Sequence, residues 1–227
     1  MTAIAKLDHL VVMANSLDEG VAWCEATLGV TPGPGGEHPL MGTHNRLLYI
    51  GSSAFPKAYL EIIAINIAAN YLYRTSENRW FDMDSALIQA QVAQNGPQLI
   101  HWVAGVPDVA ATVKTLAAQG IDRGPAITAS RMTPIGLLQW QITVRDDGQR
   151  LFDGCLPTLI QWGDVHPTDN MQAGGVSLQS LQITHPQAKQ LQAALDGIGL
   201  EGIAVHNASA RITATFQTPK GTVLLVS

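Results

Sequence analysis

Residues 7–30, LDHLVVMANSLDEGVAWCEATLGV, decide the fold because their plan returns twice further along the chain. The stretch opens as a buried strand of alternating and β-branched apolar residues. A short turn follows, where Asn15 or Ser16 can cap a helix, and then a helix with Val21 and Leu28 among its apolar positions. Residues 99–121, LIHWVAGVPDVAATVKTLAAQGI, read the same way, with Pro107 and Asp108 opening the helix and Gly120 closing it. Residues 178–200, LQSLQITHPQAKQLQAALDGIGL, follow the plan a third time, with Pro186 in the place of Pro107. A unit that recurs at this length marks a modular fold.

Each opening is followed by strand-like segments: HNRLLYIG and AYLEIIAI after the first, LLQWQITV and LPTLIQWG after the second, ARITATFQ and GTVLLVS after the third. Asp147-Gly148 and Pro219-Lys220-Gly221 supply turn chemistry. The expectation is an α+β fold of tandem βαβββ modules over residues 7–64, 98–162 and 176–226. Residues 1–165 hold the paired first two modules, and 170–227 a third, degenerate one packed on them. Between the first two, SALIQAQVAQ reads as a helix that Asn95-Gly96-Pro97 ends. No low-complexity linker separates the modules.

The 227 residues can bury a substantial core. With 13 Lys and Arg against 18 Asp and Glu, a net charge of −5 and no long run of like charge, nothing resembles a nucleic-acid footprint or a polybasic membrane patch. Lys6, Asp8 and His9 interrupt what would be the apolar stretch of a signal peptide, and no run of about eighteen apolar residues occurs. The two cysteines, Cys24 and Cys155, lack metal or redox spacing and read as free thiols. The expectation is a soluble cytoplasmic protein whose partner is a small molecule or a second copy of itself as a homodimer. An apolar share of 46% with only 14% charged residues suits sheet burial or a subunit interface.

Aligning the repeats places His9 over His101 and Ser180 in the first strands, and Glu61 over Gln161 and Leu225 in the last strands. Glu61 stands in the middle of the apolar YLEII, and an unpaired buried carboxylate costs several kcal/mol. Tyr59, Glu61 and Ile63 share one strand face, so that face is not simply solvated. A lone core histidine is most often just hydrogen-bonded. Two histidines, a carboxylate and an amide on equivalent strands of paired modules would instead meet at one point.

The chain resembles the glyoxalase-like branch of the vicinal oxygen chelate superfamily. The resemblance covers most of residues 5–165 and rests on LDHLVV, HPLMGTHNRLLYIG, YLEIIAI, NRWFDMD, LIHWVAGVPDV, SRMTPIGLLQWQIT and LPTLIQWG, in that order. It implies curved sheets around a cleft and a divalent metal, Fe, Mn, Ni or Zn, held by His9, Glu61, His101 and Gln161. Where this branch often has glutamate, Gln161 can ligate a cation but cannot act as a base, which leaves Glu61 as the catalytic carboxylate. Two histidines and one carboxylate also suit the non-haem iron of extradiol dioxygenases.

Around this centre His44, Arg46, Arg131 and Trp140 are candidate substrate-binding residues, Arg for a carboxylate or enolate and Trp for an apolar body. Trp102 is expected to point away from the His101 face into the core, and His38 and His185 to lie at the surface. Two functions follow. One is a metal-dependent lyase, isomerase or dioxygenase acting on a small oxygen-chelating substrate. The other is a binding protein using the same cleft without metal. The third module, with no ligand residues, is expected to cover a sheet edge or contact a second copy.

Overall fold

A computed structural model describes residues 5–68, 78–133 and 136–227. Residues 69–77 of the connection between the first two modules, and Pro134-Ile135 within SRMTPIGLLQWQIT, lie outside the described residues. The first module runs β1 (Lys6–Met13), α1 (Leu17–Leu28), β2 (Glu37–His38), β3 (Thr43–Tyr49), β4 (Tyr59–Ile65). After α2 (Ala86–Asn95), the second runs β5 (Gln98–Gly105), α3 (Val109–Ala117), β6 (Ala126–Thr133), β7 (Gly136–Thr143), β8 (Thr158–Trp162). The third runs β9 (Ser177–Thr184), α4 (Ala188–Gly197), β10 (Val205–His206), β11 (Arg211–Thr218), β12 (Gly221–Val226).

Helices α1 and α3 start where their capping chemistry says. Ser16 caps α1, its hydroxyl accepting from the Glu19 N–H at 3.1 Å, and Gly29 at φ 78° closes it. Asp108 caps α3, accepting from the Ala111 N–H at 2.9 Å. The strand β6 is the element the sequence conceals: AITASRMT at the sheet margin has no apolar alternation, and its burial alternates only between exposed and intermediate.

Modules one and two form a single eight-stranded sheet, ordered β2-β3-β4-β1-β5-β8-β7-β6. In each, the first strand pairs in parallel with the last, β1 with β4 and β5 with β8. The modules join through antiparallel β1 and β5, where His9 faces Val103, Leu10 faces Trp102 and Val11 faces His101. That register makes His9 and His101 equivalent about a pseudo-two-fold axis, as the sequence alignment places them.

The third module keeps the element order but not the pairing. Its sheet runs β10-β9-β11-β12, so its last strand lies at the edge beside β11 and never meets β9. Ser180 pairs with Thr215, and Leu225 stands in no relation to it resembling that of Glu61 to His9. Leu178, Leu181, Ile183, Ile212 and Phe216 of this module pack with Leu10, Val12, Leu60, Ile62 and Trp102 in one core. A second apolar cluster, with Val11, Ile63, Trp80, Phe81, Val103, Trp140 and Ile160, fills the opposite face of the large sheet. Trp102 is fully buried, its indole N–H donating to the Cys155 carbonyl at 2.9 Å, as expected of a core residue.

Helix α1 lies so close to β4 that a Cβ on Gly20 would stand 2.4 Å from the Ile62 Cγ2 atom. Gly20→Ala is therefore expected to destabilise the fold by about 1–3 kcal/mol despite its better helix propensity. Urea denaturation checks this, and a variant as stable as the parent would refute the close approach.

Candidate active site

The cleft on the second face is walled by both modules, with His9 and Glu61 on module one and Arg131 on module two. A β-bulge between Leu7 and His9 lets two consecutive residues, Asp8 and His9, both serve it, where a regular strand would send them to opposite faces. Asp8 Oδ1 lies 2.7 Å from His9 Nδ1, while Oδ2 accepts from the Trp162 indole N–H at 2.9 Å and stands 3.1 Å from His166 Nε2. The carboxylate thereby fixes the proton of His9 on Nδ1 and turns Nε2 into the cleft. The His9 ring stacks on Tyr59 at 4.5 Å.

Facing Nε2, at 3.6 Å, is Glu61 Oε2. The other oxygen, Oε1, accepts from the Asn45 amide at 2.6 Å, and His38 Nε2 lies 4.0 Å from it. The pair His9 and Glu61 is thus too far apart for a direct hydrogen bond and near enough to serve one substrate atom between them. Across the cleft stands Arg131 of β6, whose Nη1 fills the space a Cβ would take at Gly36, at 1.4 Å. Its Nε and Nη1 donors are buried without a partner among the described residues.

Electrostatics follow from burial and these contacts. Burial raises the Asp8 carboxyl, but hydrogen bonds from His166 and His9, with their charge, outweigh it and hold Asp8 below the ordinary carboxylate range. Burial pulls His38 down to about 4, against the opposing pull of Glu61 and with help from Arg131 and His9. Burial lowers Arg131 too, with Tyr59 and Glu61 opposing. The Tyr59 phenol is pushed well above its usual value by burial and the nearby Asp8 and Glu61.

The four residues expected to hold a metal do not come together. His101 sits beneath Phe81, ring centroids 5.2 Å apart, with both nitrogens engaged. Nδ1 donates to the Gly154 carbonyl at 2.9 Å, and Nε2 receives the Thr158 N–H at 3.2 Å and lies 3.0 Å from its hydroxyl. That hydroxyl in turn accepts from the buried Arg123 guanidinium. Burial, Arg123 and Arg150 hold the imidazole well below its ordinary value. Gln161 faces the opposite side of the sheet, where its Oε1 accepts from the Val109 N–H at 2.9 Å. By register the counterpart of Glu61 is Thr158, since Val11 pairs with Glu61 and Val103 with Thr158.

The remaining donors do not fit a divalent cation either. The Asn45 amide nitrogen lies between Glu61 Oε1 at 2.6 Å and His38 Nε2 at 3.3 Å, and Arg131 brings a positive charge to the same cavity. No group of three or more His, Cys, Asp or Glu among the described residues is arranged to hold a metal ion.

Of the expected substrate contacts, Arg131 and Trp140 line the cleft. His44 and Arg46 alternate with Asn45 and Leu47 on β3, and it is the latter two that line it. His38 and His185 are not surface residues. His38 lines the cleft, and His185 is buried with Nε2 3.2 Å from Asp153. The sequence gives no register for the β3–β4 hairpin and no sign of the bulge at Asp8, so neither Asn45 nor Asp8 could be found by pattern.

A model of the glyoxalase-like domain family matches residues 7–199. No curated protein matches the sequence. Among solved structures, a hypothetical protein from Staphylococcus aureus is 16% identical with a TM-score of 0.61, the match covering 98% of this chain and 91% of that one. A methylmalonyl-CoA epimerase from Streptomyces coelicolor, in complex with 2-nitronate-propionyl-CoA, is 17% identical with a TM-score of 0.45, covering 72% of this chain and 99% of that one. The Mycobacterium tuberculosis methylmalonyl-CoA epimerase is 16% identical with a TM-score of 0.40, covering 71% and 89%. At 16% identity the likeness to the Staphylococcus aureus protein is one of fold. Among the described residues no helix is long and apolar enough to cross a membrane.

His101→Ala is expected to cost about 1–3 kcal/mol of stability, because it strands the Gly154 and Thr158 groups, and to leave metal content unchanged. Elemental analysis beside urea denaturation decides; stoichiometric metal lost in both His101→Ala and Gln161→Ala would restore the two-module ligand set. Stability should also fall with pH between 6.5 and about 4, because the unfolded His38 takes a proton near 6.5 while the folded one resists until about 4. At 1.36 kcal/mol per pH unit that is roughly 3 kcal/mol. His38→Gln should flatten this part of a urea-midpoint titration, and an unchanged slope would show that His38 is not buried neutral.

Proposed function

The chain belongs to the glyoxalase-like domain family, and we propose that it is an enzyme that moves a proton on a carbon next to a carbonyl in a small anionic substrate, an isomerase- or lyase-type reaction. The observation that carries this reading is the opposition of two oriented proton-handling groups, His9 and Glu61, to buried guanidinium donors on Arg131 that have no partner among the described residues. The dioxygenase alternative needs an open ligand triad that these paired side chains do not form.

Arg131 binds a substrate carboxylate or carbonyl oxygen and stabilises the negative charge that develops there when the neighbouring carbon loses its proton. Glu61, held by Asn45, accepts that proton. His9, its own proton held on Nδ1 by Asp8, presents a bare Nε2 on the same side that can take the proton over from Glu61, and the pair gives that proton back to carbon or oxygen where the reaction ends. The apolar walls, Leu138, Trp140, Ile142 and Ile160, exclude water and strengthen each of these interactions.

Solvent deuterium exchange into a panel of 2-oxo and 3-oxo carboxylates, followed by proton NMR, tests this directly. Exchange catalysed by the parent should fall by about 10²–10⁴-fold in Glu61→Gln, and Arg131→Ala should weaken binding and turnover together. Binding that depends on Arg131 without any exchange would support a non-catalytic binding protein. Exchange unaffected by Glu61→Gln would remove Glu61 from the reaction.

A further inference from the structure

The inner cavity holding His9, Glu61 and Arg131 is small, about 30 Å³, room for little more than a water-sized group. It shares His38, Trp80, Trp140 and Ile142 with an adjoining chamber of about 350 Å³ between the β2 loop and β6. That chamber is walled by Leu40, Met41, Trp80, Ile127, Ala129 and Trp140, and its only lining residue of fixed charge among those described is Glu37. The buried side-chain nitrogens without a partner among the described residues are Arg131 Nε and Nη1, and Trp80 Nε1. Both residues line the inner cavity, and Trp80 lines both spaces. A buried donor left unpaired costs about 1–3 kcal/mol, so such donors concentrated at one place mark where an acceptor belongs.

We propose that the substrate is an amphiphilic free acid: a carboxylate at Arg131, an oxo or hydroxy oxygen beside it at Trp80 Nε1–H, and an apolar body of several carbons in the outer chamber. This rests on the reading of Arg131 as the head-group anchor and extends it to the substrate's class. Sizes enforce the division, since a body that does not fit about 30 Å³ has the apolar chamber as its continuation. Charge argues against a coenzyme A thioester. Its phosphates would need cations at the mouth, and the chamber offers a glutamate. Trp80 is set in place by a left-handed turn at Phe81 and Asp82, φ 60° and 56°. The turn is held by the Asp82 N–H on the Gly148 carbonyl at 2.9 Å and by Arg150 on the Asp82 carboxylate at 3.1 Å. A non-glycine pair in that region persists only where surrounding contacts over-determine it.

Isothermal titration of the full chain with 2-oxobutyrate, 2-oxooctanoate, octanoate and octanoyl-CoA decides between outcomes. Expected are binding of 2-oxooctanoate at least about tenfold tighter than 2-oxobutyrate, a preference for 2-oxooctanoate over octanoate that Trp80→Phe abolishes, and octanoyl-CoA bound no better than coenzyme A alone. Ala129→Trp should erase the chain-length difference; if that variant does not fold, the parent's chain-length series carries the decision. Equal affinity for the short and long acids, or tight octanoyl-CoA binding, overturns the chamber while Arg131-dependent 2-oxobutyrate binding keeps the head-group reading. Binding of 2-oxobutyrate unaltered by Arg131→Ala overturns the head-group reading itself, and the proposal with it.

Discussion

The antiparallel pairing of β1 with β5 about Leu10 and Trp102 is the constraint on which the rest depends. It converts two modules, each unable to bury both faces of its own strands, into one eight-stranded sheet. It places the first strand of each module at the centre, where burial is complete. It also creates a face for the third module to cover, with the fully buried Trp102 in the shared core, and leaves the other face for the cleft.

The pseudo-symmetry about that pairing is kept in the backbone and broken in the chemistry. His9 faces Glu61, a carboxylate; His101 faces Thr158, a hydroxyl that a buried arginine already holds. A buried imidazole with both nitrogens bonded to the protein is stable and inert. At His9 one nitrogen is held by a carboxylate and the other lies 3.6 Å from a second carboxylate, open to the cleft. One residue exchange between equivalent strands, with Arg123 supporting it, therefore leaves the facing imidazole and carboxylate in one half of the molecule only. The opposite charge enters from the far edge, on Arg131.

Local strain recurs at two turns, the first of which lines the cleft. Arg79-Trp80-Phe81-Asp82 and Arg150-Leu151-Phe152-Asp153 share a spacing, and both Phe-Asp pairs adopt left-handed backbone, with φ between 51° and 60°. Each such residue costs on the order of 1–3 kcal/mol, offset at the first turn by the Asp82 contacts with Gly148 and Arg150. The first turn stacks Trp80 on Phe81 at 5.0 Å and seats Phe81 over His101, so it covers His101 while both rings line the cleft that holds His9 and Glu61.

The sequence by itself determined the repeat, a helix start at Asn15 or Ser16 and another at Asp108, the equivalence of His9 and His101, and the singularity of Glu61. These are local or periodic properties, and a charge inside an apolar strand stands out without knowing its neighbours. Only the tertiary structure decided what each residue meets. A strand's side chains alternate, so an offset of three residues sent Gln161 to the far face and made Thr158 the partner of His101, and an offset of one exchanged His44 and Arg46 for Asn45. The bulge that brings Asp8 beside His9 and the short strand that brings His38 into the cleft leave no periodic trace. The third module's strands follow the same order in the chain as the others, yet pair differently, because order along the chain does not fix which edges meet.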